Sequence, residues 1–321
     1  MGLQETGAQS IYFAPLEGIT GYIFRNAYNE IYGNVDKYFA PFISPTGRSS
    51  MTPRDRRDLD PDNNTGMNLI PQILTCDASL FIMAAGELQD MGYKEIDLNL
   101  GCPSGTVCAK GKGAGFMPET VKLRSFLDGI YAFSENAGIK ISVKTRLGYY
   151  DPDEFFDLIE IFNAYPISEL IVHPRIRGDF YKGEIRREYF AYAIEHAVCP
   201  LIYNGDIYTP KDLEDLSSYF KTPLSPVMLG RGLITDPSLA SKIKGISKDT
   251  DMARFKEFHD TIYHEYQKVM SPDINVLYKM KELWSYWSSM FSDNSRDIKK
   301  LLKAKKYADY ESCVYSLLGQ L

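Results

Sequence analysis

No run of about 18 apolar residues occurs in this 321-residue chain, so no helix able to cross a bilayer is expected. The opening MGLQETGAQS lacks a basic stretch followed by an apolar one, and no secretory signal is expected. Cysteine is sparse and irregular. Cys76, Cys102, Cys108, Cys199 and Cys313 form an odd set without a CxxC pair, which excludes zinc fingers and a disulfide framework and implies free thiols in a reducing cytoplasm. A basic excess is also missing: 36 Lys and Arg against 42 Asp and Glu leave a net charge of −6. That balance excludes a uniformly basic nucleic-acid binder but leaves room for a local basic patch. Internal repeats and low-complexity tracts are absent, and no metal is expected. What remains, at 44% hydrophobic and 24% charged, is the composition of a globular chain long enough for one barrel of about 250 residues and an appendage.

Short β-branched or aromatic runs bounded by Gly, Pro, Asn and Asp recur along the chain. They are SIYFAPL from Ser10, YFAPFIS from Tyr38, NLIPQIL from Asn68, EIDLNLG from Glu95, KISVKTR from Lys140, ELIVHPR from Glu169, PLIYNGD from Pro200 and PVMLGRG from Pro226. Segments with helical periodicity, such as DEFFDLIEIFNAY from Asp153, separate most of them. Eight strands alternating with helices predict an α/β fold, a (β/α)8 TIM barrel over residues 1–244. From about Gly245 the strand signal stops, and amphipathic patterns predict an all-helical domain over residues 245–321. This tail carries 12 basic and 11 acidic residues, so the first 244 residues hold a net −7. Between Arg296 and Lys306, six cations (Arg296, Lys299, Lys300, Lys303, Lys305, Lys306) face one acid, Asp297. Taken alone, that stretch reads as a solvated helix face. The segment from Pro45 to Met67 carries Arg48, Arg54, Arg56 and Arg57 among Asp55, Asp58, Asp60 and Asp62; its length implies a functional loop on the strands' C-terminal side.

Barrel enzymes place their chemistry where the strands end. The seventh and eighth runs end in Asn204-Gly205-Asp206 and Gly230-Arg231-Gly232, the ordinal positions at which barrels hold a phosphate. Glycine lets backbone N–H groups approach the phosphate oxygens, and Arg231 adds a charged fork. Lys144 and His173 end the fifth and sixth runs, where their charge and donors suit a ring that becomes anionic on reduction, as a flavin does. A surface ion pair and a hydrogen-bonded structural histidine are the competing readings of these two. Cys102 lies just past the fourth run, in NLGCPSGTVCAKGKGAGFM, whose glycines imply a shaped loop. A thiol with an ordinary pKa near ~8.5 is mostly protonated at neutral pH and suits a general acid, although a nucleophile remains open. Cys76, Cys199 and Cys313 read as small buried hydrophobes.

The ordered set Ala14-Pro15-Leu16-Glu17-Gly18-Ile19-Thr20, Gln72, Asn99-Leu100-Gly101-Cys102-Pro103 with its Gly111 to Met117 stretch, Val143 to Gly148, His173-Pro174-Arg175, Asn204-Gly205-Asp206 and Gly230-Arg231-Gly232 resembles the tRNA-dihydrouridine synthase family. The likeness covers the barrel, and the helical tail resembles that family's tRNA-binding domain. It implies FMN, NADPH as reductant, and reduction of the C5=C6 bond of uridine in tRNA; a cytoplasmic monomer is expected. On this resemblance Cys102 protonates uracil C5. Gln72, Lys144 and His173 hold the isoalloxazine, and Ala14, Pro15, Leu16, Asn204, Gly205, Asp206, Gly230 and Arg231 complete the cofactor site. Asn99 contacts the uracil or the flavin, Arg175 lies on the substrate side, and Lys299, Lys300 and Lys303 meet tRNA phosphates. Gly21 and Glu17 depart from the family's first motif, and Cys108 has no assigned role. Tyr278, Trp284, Tyr286 and Trp287 follow a helix face and are expected in the tail's core. Two other readings are a flavin barrel acting on a free pyrimidine, similar to dihydroorotate or dihydropyrimidine dehydrogenases, and a non-catalytic tRNA-binding module that keeps FMN.

Overall fold

The structure, a computed structural model, describes residues 9–319. Nine short strands, all parallel, form one sheet: β1 (Ile11–Phe13), β2 (Lys37–Phe39), β3 (Leu69–Ile70), β4 (Gln72–Ile73), β5 (Glu95–Leu100), β6 (Lys140–Arg146), β7 (Leu170–His173), β8 (Leu201–Tyr203) and β9 (Val227–Leu229). Their hydrogen-bonded order is β3-β2-β1-β9-β8-β7-β6-β5-β4. The two ends of that order, β3 and β4, are halves of one run divided by Pro71, which has no N–H to give a ladder. The third of the eight expected runs therefore joins both edges and closes the barrel.

Side chains alternate along each strand, and the alternation sorts the barrel interior into layers. At the N-terminal end Lys37 Nζ bridges Glu95 (2.8 Å) and Glu169 (2.9 Å), and the Tyr12 hydroxyl donates to Glu169 (2.7 Å). Above this ionic plug, Tyr12, Phe39, Ile70, Ile171, Ile202 and Met228 pack together inside the barrel. Two residues further along their strands stand Ala14, Gln72, His173, Asn204 and Gly230, joined by Asn99 from β5 and Lys144 from β6. A plain period of two thus carries each strand from apolar filling to polar rim.

The Pro45–Met67 segment is ordered around a helix, Pro53–Leu59, whose N-cap Thr52 and Asp55 form a capping box. Its acids do not simply neutralise its own arginines. Asp58 pairs with the buried Arg25 at 3.2 Å, Arg56 pairs with Glu87, and Arg54 lies 3.8 Å from Glu17. Four α-helices make the tail: Met252–Val269, Asp273–Trp287, Ser295–Lys303 and Tyr307–Leu318. Asp251 caps the first by accepting from the N–H groups of Ala253 and Arg254. This helix docks on the Tyr22–Ile31 helix of the barrel shell, where the Phe258 ring meets Tyr32 and Phe24 edge-on at 5.3 and 5.4 Å. Trp284 and Trp287 are fully buried as expected, whereas Tyr278 is 61% exposed and Tyr286 is only half-buried. The two tryptophans already fill the inward face of their helix, so the tyrosines between and before them turn elsewhere.

Candidate active site

A cavity of about 540 Å³ opens at the C-terminal ends of the strands. Ala14, Pro15, Leu16, Gln72, Asn99, Cys102, Lys144, His173, Asn204, Gly205, Asp206, Gly230 and Arg231 all line it. The remaining named residues do not. Arg175 is 3% exposed and sits behind the wall, while Lys299, Lys300 and Lys303 lie exposed on the Ser295–Lys303 helix.

Behind the last two strand ends, one carboxylate organises two guanidinium groups. Arg175 donates to both oxygens of Asp206 (3.1 and 2.6 Å), and Arg231 donates to one of them (2.5 Å). Burial pushes the Asp206 carboxyl up, but the hydrogen bonds and charge of Arg175, with the charge of Arg231, outweigh it and hold the group below the ordinary carboxylate range. Two cations sharing one anion leave a positive surplus beside the backbone of Gly205 and Gly230. A Cβ at Gly230 would come within 3.4 Å of Ala14 Cβ and narrow that cradle.

Arg175 also donates to His173 Nε2 at 3.1 Å. Guanidinium only donates, so Nε2 accepts and Nδ1 carries the imidazole proton. Burial and the charges of Arg146, Lys144, Arg175 and Arg231 hold His173 well below its ordinary pKa, so the ring is neutral. Lys144 is half-buried, and its ammonium is pushed down by burial and by Arg146, against the opposing pull of Asp97. Its Nζ has no hydrogen bond or ion pair among the described residues.

The half-buried thiol of Cys102 is held by the loop around it. Its N–H donates to Asn99 Oδ1 (2.8 Å), and its carbonyl accepts from the N–H of Ala114 (3.1 Å). A Cβ at Gly113, which has φ +55°, would lie 2.9 Å from the Cys102 carbonyl oxygen, and one at Gly115 would lie 2.6 Å from that of Cys108. The glycines therefore allow two backbone segments to touch. Buried Arg146 ties the loop to the one after β7 by donating to the carbonyls of Gly101 (2.9 Å), Ile176 (3.1 Å) and Phe180 (2.7 Å). Burial pushes the Cys102 thiol up, with the Ser104 backbone opposing, so the sulfur keeps its proton at neutral pH.

Sequence reasoning did not single out Arg146, Asp97, Ser142, Tyr181 or Glu282 as site residues. Arg146 follows Lys144, and Asp97 precedes Asn99, by two residues on the same strand face; that spacing was an available signal. The Tyr181 ring lies over the guanidinium groups of Arg146 (5.4 Å) and Arg231 (5.1 Å) at the cavity mouth. Glu282 and Tyr286 reach the cavity from the tail, and nothing local in the sequence marks them.

A parallel barrel with a thiol, a lysine and an arginine-lined cradle on its C-terminal rim has the arrangement in which barrel enzymes place their chemistry. The family model described as dihydrouridine synthase (Dus) matches residues 12–312, and the chain belongs to that family. A relative in Staphylococcus epidermidis, named probable tRNA-dihydrouridine synthase, is 30% identical over 268 residues, 79% of this chain and 78% of that one. Another, named tRNA-dihydrouridine(16) synthase, from Cupriavidus necator, is 27% identical over 242 residues, 74% of each chain. Among solved structures, a variant of NCR from Zymomonas mobilis shares the fold with a TM-score of 0.51 at 13% identity, covering 75% of this chain and 88% of that one. Among the described residues no helix is long and apolar enough to cross a membrane, and no group of three or more His, Cys, Asp and Glu could hold a metal ion.

Proposed function

We propose that the chain reduces the C5=C6 bond of uridine in tRNA to dihydrouridine, with FMN as its resident group and NADPH as reductant. The cavity residues fit FMN. Lys144 brings a cation with no protein partner among the described residues, and Asp206 holds Arg231 beside the glycine cradle at 2.5 Å. Lys144 and His173 would hold the ring, and Gly205, Gly230 and Arg231 the phosphate. Bound FMN, once reduced, supplies the hydride that goes to C6.

The chain's own residues do the rest. Cys102 keeps its proton at neutral pH and delivers it to C5; the loop from Gly111 to Gly115 holds the sulfur at the rim. Neutral His173 offers a donor without adding a cation. Asn99 lines the same cavity and holds the Cys102 backbone by accepting from its N–H. Drawing a uridine out of its stack costs a few kcal/mol, which contacts to the tRNA backbone must offset. Residues 245–321 supply them through Lys299, Lys300 and Lys303, and residues 1–244 carry the chemistry.

The observation that carries this reading is Cys102 on the same cavity rim as Lys144, within a chain of this family. In Cys102→Ala, flavin content and NADPH oxidation without tRNA should hold within about twofold, while dihydrouridine formation falls by roughly 10²-fold or more. Undiminished dihydrouridine formation by that variant would remove Cys102 from the reaction.

A further inference from the structure

A carboxylate is buried inside the barrel beneath the rim. Asp97 on β5 is 0% exposed, stands one inward position below Asn99 and lies in register with Gln72 of β4 and Ser142 of β6. Burying a carboxylate there is costly unless its oxygens are satisfied. They are: Gln72 Nε2 donates to one oxygen at 2.6 Å and the Ser142 hydroxyl to the other at 2.8 Å. Gln72 Oε1 in turn accepts from Asn99 Nδ2 at 2.7 Å, and Asn99 Oδ1 accepts from the N–H groups of Gly101 (3.1 Å) and Cys102 (2.8 Å). An unbroken series of hydrogen bonds therefore runs from a carboxylate inside the barrel to the backbone of the thiol-bearing residue.

We propose that Asp97 is a positioning residue for Cys102, setting the polarity of the Gln72 and Asn99 amides that hold the Cys102 backbone at the barrel rim. An amide side chain is nearly symmetric in shape but not in polarity. Between two partners that could each give or accept, either orientation would serve. Burial pushes the Asp97 carboxyl up to about 7, against the hydrogen bonds of Gln72 and Ser142 and the charge of Lys144. With both oxygens accepting, as they do here, the carboxylate gives no hydrogen, so Gln72 must turn its NH2 toward Asp97 and its oxygen toward Asn99. Asn99 must then turn its own NH2 back to Gln72, and its oxygen is left for the two loop N–H groups. Reversing the first amide reverses the second and sets an NH2 against the N–H groups of Gly101 and Cys102, which forces the loop away. One charge thus decides where the sulfur sits, without touching it.

The proposal rests on Cys102 as the proton donor, and its test separates the two ideas. In Asp97→Asn the acceptor becomes an amide that can point either way. Single-turnover oxidation of the reduced holoenzyme by tRNA should slow by about 10- to 100-fold, the scale of a misplacement near 1 Å. In a Cys102→Ala background the same substitution should add no more than about twofold, because it acts through a residue already removed. Alkylation of Cys102 by iodoacetamide, read by peptide mapping without tRNA, should rise about threefold or more as the loop loosens. Equal slowing in both backgrounds, or an unchanged alkylation rate, would show that Asp97 serves the barrel and not the thiol. Full activity of Cys102→Ala alone would sink the proton-donor reading, and the alkylation rate would still decide whether Asp97 places the sulfur. If Asp97→Asn fails to fold, Ser142→Ala removes a donor that favours the ionised carboxyl, lets the protonated acid give its hydrogen to Gln72, and should raise the alkylation rate in the same direction; no change would overturn the proposal.

Discussion

The proposed contact of the tail with tRNA is open to a quantitative check, because the structure separates its lysines. Lys300 lies 3.3 Å from Asp297, so part of its charge is already answered. Lys299, Lys303 and Lys305 are exposed and have no ion pair among the described residues. If each meets a phosphate, binding releases condensed counterions, and each contact contributes about 0.7 to 0.9 to the slope of log affinity against log salt. Changing these three to glutamine should flatten that slope by about two to three units. Between 50 and 200 mM salt, wild type should then lose about 20- to 40-fold more affinity than the variant. Lys300→Gln alone should flatten it by less than about 0.7, the low end for one full contact, because Asp297 already competes for that charge. Titrations of fluorescent tRNA at several salt concentrations measure both. Flavin content should not change, since none of the three lysines lines the cavity. Parallel lines of equal height for wild type and the triple variant would refute the reasoning: the helix would be a solvated face, and tRNA would dock elsewhere, with the arginines from Arg48 to Arg57 the next surface to neutralise.

Tyr310 ties the tail's core together: its hydroxyl accepts from Trp284 Nε1 (2.9 Å) and so gives its own hydrogen to His259 Nε2 (2.6 Å). Tyr310→Phe leaves both buried nitrogens without a partner and should cost about 1 to 3 kcal/mol of stability, seen as a lower urea midpoint; an unmoved midpoint would contradict the network. Stability should also depend on acid. Burial holds His173 and His259 below their ordinary pKa despite the pull of Asp260 on the latter, so the unfolded chain binds more protons and stability falls as pH drops through about 6.5. Burial raises Asp260, but His259 and Lys256 outweigh it and hold the carboxyl at about 2, which adds a further loss as pH falls from about 4 toward 2. Asp97, pushed up to about 7 by burial, works the other way between about 7 and 4, so the imidazoles are followed directly by NMR titration: either ring protonating at or above about 6.5 in the folded protein would refute the histidine assignment.

The cavity rim was legible because each strand carries it locally. A run that ends in Asn204-Gly205-Asp206 or in Lys144 presents those residues at the barrel mouth whatever its neighbours are, and the period of two fixes which of them point inward. What escaped depends on partners far away in the chain. Pro71 was visible as a break, but only the pairing of β3 with β2 and of β4 with β5 shows that the broken run closes the sheet. Arg175 stands at a strand end and resembled a substrate contact. Its place behind the cavity wall follows from Asp206, 31 residues on, which takes two of its nitrogens. Asp97 could have been placed on the inward face by its spacing from Asn99, yet a carboxylate buried inside the barrel makes physical sense only once Gln72, 25 residues earlier, is seen donating to it. Tyr286 shows the same limit from the opposite direction. Its spacing from Trp284 and Trp287 fits a buried helix face, but those tryptophans exhaust that face by packing on each other and on Phe255, with ring centres 5.7 and 5.2 Å apart at the closest pairs. Tyr286 is turned toward the barrel because the Met252–Val269 helix docks on the Tyr22–Ile31 helix and carries its neighbour over the cavity mouth. Periodicity specifies which residues share a helix face; the surface that face meets is chosen by packing between elements more than 200 residues apart, such as Ile31, whose carbonyl accepts from Arg254 at a separation of 223.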